Sequence, residues 1–204
     1  MEETQTMSSM RSGSVSRSTK ETAIQMTLTL DGSGVGEINT GIAFLDHMLT
    51  SFTRHGFFDL ALQAHGDLEV DYHHTVEDVG ICLGEAFDRA LGTKEGIRRF
   101  GDTVVPMCEA LVSVALDICS RPYLIYHVKF PGPRIGTSFP SELVEEFLQG
   151  FIRRSGITLH VNMHYGSNSH HIAEAIFKGV GRAMSQACAL DPRLHGVLST
   201  KGEL

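Results

Sequence analysis

Two copies of one short pattern stand about half a chain apart: His73-His74-Thr75-Val76-Glu77 and His170-His171-Ile172-Ala173-Glu174. Each opens a segment with helical spacing. Residues three and four apart share a helix face, so the glutamate can stand near either histidine of its pair. Adjacent histidines project roughly 100° apart, given about 3.6 residues per turn. One pair is therefore better suited to serving two metal ions than to chelating one. Counting 26 residues back from His73 reaches His47, and 24 back from His170 reaches Glu146, each within the preceding helical segment. His47, His73, His74, Glu77, Glu146, His170, His171 and Glu174 can thus build two metal sites. Imidazole and carboxylate ligands suit manganese, iron or zinc, and a set without thiolates argues against a closed structural zinc site.

The elements that must position these residues repeat as well. Ile24, Met26, Leu28 and Leu30 alternate with Gln25, Thr27 and Thr29 in a half-buried strand that ends at Asp31-Gly32. Phe44, Leu45, Met48, Leu49 and Phe52 give helical spacing from Gly41 to about His55. Strands are expected at Phe57–Ala64 and Leu68–Asp71, then a helix from Thr75 to Leu91 closed by Gly92. The second half follows the same order. It has strands at Leu111–Ile118 and Tyr123–Phe130, a loop at Pro131-Gly132-Pro133 and a helix from Ser141, its expected N-cap, to Phe151. A strand at Ile157–Tyr165 and a helix from Ile172 to about Cys188 complete it. The expected fold is α+β, an α/β sandwich made by duplicating one unit of β-sheet packed against helices. Residues 17–95 form one pseudo-symmetric half and 96–190 the other. Residues 1–16 read as a mobile arm and 191–204 as an irregular tail.

The 204 residues carry 17 basic and 24 acidic side chains, for a formal charge of −7. That balance argues against a general nucleic-acid binder. No run of about 18 apolar residues could span a membrane, and no apolar signal-like stretch opens the chain. A cytoplasmic protein is expected, with the widely spaced Cys82, Cys108, Cys119 and Cys188 as reduced thiols. Eleven histidines are present, five between His47 and His74 and four between His160 and His171. The distribution, more than the count, points to the two repeated sites. His65, His160 and His164 read as structural or surface residues.

Several longer segments accompany the repeat: Gly41-Ile-Ala-Phe-Leu-Asp-His47-Met, Arg54-His55-Gly-Phe-Phe-Asp59, Gly66-Asp67-Leu-Glu-Val-Asp-Tyr-His73-His74-Thr-Val-Glu77-Asp78, Ser120-Arg121-Pro-Tyr, Thr158-Leu-His-Val and His170-His171-Ile-Ala-Glu174-Ala-Ile-Phe-Lys178. With these in order from Arg17 to Leu204, the chain resembles the imidazoleglycerol-phosphate dehydratases. The resemblance implies a hydro-lyase of histidine biosynthesis that dehydrates imidazole glycerol phosphate to imidazole acetol phosphate. It implies two Mn2+ ions per active site, held by the repeated histidines and glutamates, with the substrate ring bound between them as an imidazolate. It assigns catalytic roles to Glu21, Glu174 and His74, with Glu21 as the base. Substrate contacts fall to Glu21, His47, His55, His73, Glu77, Arg99, Arg121, His171, Lys178, Ser199 and Lys201; Arg99, Arg121, Lys178, Ser199 and Lys201 serve the phosphate, the last two from the tail. It further implies a homo-oligomer of 24 subunits built from trimers, with active sites at subunit contacts. Two positions depart from many members: Glu146 replaces a histidine, with Glu145 beside it as an alternative ligand, and Cys108 replaces an acid before Glu109.

Two other classes are open to the same residues. A di-metal phosphoester hydrolase could use such a site to deliver hydroxide, but the chain has no aspartate-rich ligand set. A non-catalytic metal-binding shell would explain the histidines and leave Glu21 and the cationic residues idle.

Overall fold

The computed structural model describes residues 10–204. Ten strands and four α-helices are present among them. The first half contains β1 (Ser12–Ser18), β2 (Thr22–Thr29), β3 (Gly36–Asn39), α1 (Ala43–Gly56), β4 (Asp59–Gly66) and α2 (His73–Leu91). The second contains β5 (Phe100–Met107), β6 (Ala110–Ile118), β7 (Tyr123–His127), α3 (Leu143–Ser155), β10 (Ile157–Tyr165) and α4 (Ser169–Cys188). A small hairpin, β8 (Arg134–Ile135) with β9 (Phe139–Pro140), is inserted between β7 and α3.

The two main sheets have matching topology. One runs β1-β2-β4-β3 and the other β5-β6-β10-β7, each with two antiparallel pairings followed by a parallel one. Strict burial alternation along β2 gives each sheet an inner apolar face, as the period of two requires. The helices cover these faces. α2 lies over β1 and β2, and α4 over β5 and β6. This is an α+β fold of two similar halves.

The helices do not pair within their own halves. α1 of the first half packs on α4 of the second, and α2 packs on α3. Both crossings rest on glycine. A β-carbon at Gly181 would collide with the carbonyl oxygen of Phe52, and one at Gly84 with that of Phe151. Gly84 lies ten residues after His74 as Gly181 does after His171, and Phe52 lies five after His47 as Phe151 does after Glu146. The same helix register is thus used twice. Leu45, Met48 and Leu49 of α1 are fully buried in the single core these layers share, each contributing roughly 1.5–3 kcal/mol.

Several expectations need correction. Residues 1–9 lie outside the described residues, but Ser12–Ser16, expected within a mobile arm, join Arg17 and Ser18 in an edge strand paired to β2. Arg11 ties this strand down, forking onto Asp31 and donating to the Cys188 carbonyl at 2.7 Å. Leu68–Asp71 is a turn and not a strand; Val70 donates to the Asp67 carbonyl and is 65% exposed. Ser141 does not cap α3. Its hydroxyl donates to the Gly132 carbonyl, and the helix starts after Glu142. The strand expected at Tyr123–Phe130 stops at His127.

Candidate metal and substrate site

The two HHxxE segments open α2 and α4 because local carboxylate or amide groups satisfy the first helical N–H groups. Asn168 caps α4, its side-chain oxygen accepting from the backbone N–H of His170 at 2.9 Å and of His171 at 3.4 Å. Asp71 accepts from the His73 N–H at 2.7 Å. The histidine pairs therefore fall in the first turn, where the rings of each pair diverge. His73 and His74 are nearly perpendicular at 84°, and His170 and His171 at 87°.

Crossing of the helices brings His47 of α1 to the first turn of α4. His47, His170 and Glu174 offer donor atoms that all lie within 4.8 Å of one another. The Glu174 carboxylate stands 3.6 Å from His47 Nε2 and 3.2 Å from His170 Nε2. Phe44 packs edge-on against the His170 ring, and Phe139 of the inserted hairpin backs Phe44 at 4.8 Å. Burial pushes the Glu174 carboxyl up, but the Lys178 hydrogen bond at 2.8 Å and the charges of Lys178, His47 and His170 together bring it below its ordinary value. It is thus ionised and engaged on one oxygen. Two imidazoles and one carboxylate without thiolate form a donor set that fits a divalent first-row ion.

On α2, His73 stands 4.0 Å from Glu77, and Arg153 of α3 reaches Glu77 at 3.3 Å. The shared helix register puts Glu146 opposite α2 in the place His47 takes opposite α4. Among the described residues its carboxylate forms no hydrogen bond or ion pair. Glu145 turns away, lining a recess with Tyr126 and Ser141, and its carboxyl is raised by burial and then by the charge of Glu146.

The second histidine of each pair is held by a carboxylate. Asp67 lies 2.9 Å from His74 Nδ1, and Glu109 lies 2.8 Å from His171 Nδ1. The His74 ring is raised above its ordinary value, chiefly by that hydrogen bond. Glu109 is lowered to about 2, first by His171 and then by backbone N–H groups. Neither carboxylate was among the expected site residues, although Asp67 stands within one of the longer segments that accompany the repeat. The available signal was chemical: a ligating histidine donates its other ring N–H to an acceptor.

Glu21 sits in the β1–β2 turn, 3.9 Å from His74 Nε2. That turn is fixed on α2 by Asp78, which accepts from Thr22 at 2.5 Å and pairs with Arg17 at 2.8 Å. His55, at the end of α1, is lowered by burial and then by the charges of Lys178 and Arg182.

Arg99, Arg121, Ser199 and Lys201 come together on an open cavity of about 770 Å³ lined in part by the C-terminal tail. Arg99 forks onto Asp117 at 2.6 and 2.9 Å and donates to the Leu198 carbonyl at 2.7 Å, anchoring the tail. Arg121 makes no ion pair among the described residues. Lys178 is not part of this cavity and is paired with Glu174.

Comparison with known proteins bears on these features. A family model described as imidazoleglycerol-phosphate dehydratase matches residues 40–184. The dehydratase of Citrifermentans bemidjiense is 56% identical over 194 residues, covering 95% of this chain and 99% of the relative. That of Syntrophobacter fumaroxidans is 56% identical over 198 residues, covering 97% and 100%. Among solved structures, the Staphylococcus aureus dehydratase superposes with a TM-score of 0.80 at 35% identity, covering 88% of this chain and 99% of that one. The Pyrococcus furiosus structure gives 0.81 at 39%, covering 93% and 100%.

Proposed function

This chain belongs to the imidazoleglycerol-phosphate dehydratase family, and from that premise we propose that it dehydrates imidazole glycerol phosphate to imidazole acetol phosphate with two Mn2+ ions per active site. The enzyme class, a hydro-lyase of histidine biosynthesis, follows from the family. The finer reading rests most on one observation, the convergence of His47, His170 and Glu174 from opposite halves.

His47, His170 and Glu174 would hold one ion, and Glu146, His73 and Glu77 the other, with His74 and His171 as further ligands. Ions bound at the substrate's ring nitrogens would make the ring an electron source for loss of hydroxide from the carbon beside it, while the balancing proton leaves the next carbon to give the enol of the ketone product. Glu21 takes that proton, being an exposed carboxylate beside His74. Lys178 holds Glu174 on one oxygen and leaves the other toward the histidines. Arg121, Ser199 and Lys201 bind the phosphate in the tail cavity, with Arg99 fixing the cavity wall and adding charge.

Each cluster in one chain is incomplete, because the second histidine of each pair diverges from the first. On this reading neighbouring copies complete each cluster, in a homo-oligomer that we take to be 24 subunits built from trimers. Among the described residues no helix is long and apolar enough to cross a membrane; we place the enzyme in the cytoplasm.

The test is to incubate Mn2+-loaded protein with imidazole glycerol phosphate and follow the product by absorbance and mass. A phosphorylated ketone lighter by one water is expected. Release of inorganic phosphate would indicate the hydrolase, and an unchanged substrate the metal-binding shell.

A further inference from the structure

The two halves hold their second histidines differently. The β1–β2 turn, residues 19–21, and the β5–β6 turn, residues 108–109, occupy the same place in the two sheets. The equivalence is fixed by two glycines. A β-carbon at Gly66 would meet Thr22 and Thr75, the residue after His74; one at Gly166 would meet Ala110 and Ile172, the residue after His171. Thr22 thus corresponds to Ala110, and Glu21 to Glu109.

These corresponding glutamates have different partners. Glu109 is committed: one oxygen accepts from the Asn168 N–H at 2.8 Å and the other meets His171 Nδ1 at 2.8 Å. Glu21 makes no such contact. Its place at Nδ1 is taken by Asp67, from the loop after β4, at 2.9 Å. Glu21 instead stands on the Nε2 side of His74, at 3.9 Å, with its side chain about half exposed.

We infer that Asp67 is the positioning residue of His74, and that by holding Nδ1 it leaves Glu21 free for proton transfer, whereas its counterpart Glu109 is spent on positioning His171. This rests on the two-metal reading above. A carboxylate at Nδ1 fixes the proton there and turns the Nε2 lone pair outward, which is what a metal ligand requires. The half that lacks an aspartate after its β4-type strand, with Ser167 following Gly166, must use its turn glutamate for that purpose. The half that has Asp67 need not. The duplicated unit has divided orientation and proton transfer between two carboxylates on one side only.

The test titrates the full-length, metal-stripped protein with Mn2+ alone and counts free ion by electron paramagnetic resonance. Asp67→Ala is expected to weaken binding by roughly 10–100-fold and to lower kcat. Asp67→Asn, which keeps an acceptor oxygen, is expected to recover most of that loss. Glu21→Gln alone should leave Mn2+ affinity unchanged while abolishing turnover. In the Asp67→Ala background, however, Glu21→Gln should weaken Mn2+ binding further, because the released His74 then draws on Glu21. Wild-type affinity in Asp67→Ala, or an equal effect of Glu21→Gln in both backgrounds, overturns the inference while the metal reading stands. A wild-type protein that binds no Mn2+ overturns both.

Discussion

Gly181 of α4 lies against the carbonyl oxygen of Phe52 of α1 so closely that no β-carbon fits between them. This contact sets the depth at which α1 settles on α4, and so the distance from His47 to Glu174. In an unconstrained helix, Gly→Ala stabilises by roughly 1 kcal/mol. Here Gly181→Ala is expected to destabilise by about 1–3 kcal/mol, as overpacking does, and to weaken Mn2+ binding. Gly84→Ala should cost similar stability through Phe151 while leaving the His47 cluster intact. Denaturant melts and metal titration of both variants decide this; a stabilised Gly181→Ala would contradict the packing argument.

Removing a ligand should cost more than removing its support. His47→Ala or His73→Ala is expected to lower activity beyond the roughly 10–100-fold typical of outer partners. Chelator treatment should abolish activity and dissociate the assembly, as seen by light scattering. A chelated sample that stays active and fully assembled would rule out the two-metal reading.

The two arginines of the tail cavity should separate kinetically. Arg121 has no ion-pair partner among the described residues, so Arg121→Ala is expected to raise KM with little loss of stability. Arg99→Ala also releases Asp117 and the Leu198 carbonyl, so it should raise KM and lower the melting temperature. Equal melting temperatures for the two variants would remove the anchoring role from Arg99.

Acid should loosen the join between β1 and α4. The Arg11 hydrogen bond holds Asp31 below its ordinary value of 3.8, against a smaller opposing effect of burial. A depressed carboxyl contributes stability that is present above about pH 3.8 and lost as pH falls through its lowered folded value. Asp31 is substantially exposed, so the amount is about 0–1 kcal/mol. Asp31→Asn should be less stable near neutrality and flatter on the acid side, measured by thermal melts.

His74 gives the opposite sign. Its ring is raised above 6.5 by Asp67, so in the metal-free protein its contribution is fully present below pH 6.5 and disappears as pH rises through the folded value. Bound metal takes the place of a proton, so Mn2+ affinity should rise over the same window. Calorimetry in buffers of different ionisation enthalpy would register the released proton; no buffer dependence would argue against His74 as a ligand.

Much of this arrangement was readable beforehand, for identifiable reasons. β10 and the end of α2 at Gly92 match expectation because strand alternation and a terminal glycine are local signals. β5 was not anticipated. Its inward residues are Gly101, Thr103 and Val105 while Phe100 and Val104 face out, which inverts the usual apolar pattern. β3 is four residues long with only Ile38 partly buried. The repeat picked out His47 and the second HHxxE segment, from which His47, His170 and Glu174 converge, and the angle between adjacent histidines follows from helix geometry. The exchange of helix partners was not legible, because nothing local to α1 says which helix it will meet. Asp67 and Glu109 were missed for the same reason: each acts on a histidine brought to it by the fold.

That exchange bears on how such a chain could have arisen. A half-length ancestor with one sheet, one α1-type helix and one HHxxE helix could not have brought its own ligands together, since these two helices do not pack within a half. Two copies docked face to face would have done so, each lending its first helix to the other's histidines. Joining the copies end to end then brought the first-helix residue and the HHxxE residues it meets, such as His47 with His170 and Glu174, into one chain without altering their geometry. It also freed the two sides to diverge, so that a histidine at one position and a glutamate at its counterpart, residues 47 and 146, could be inherited independently.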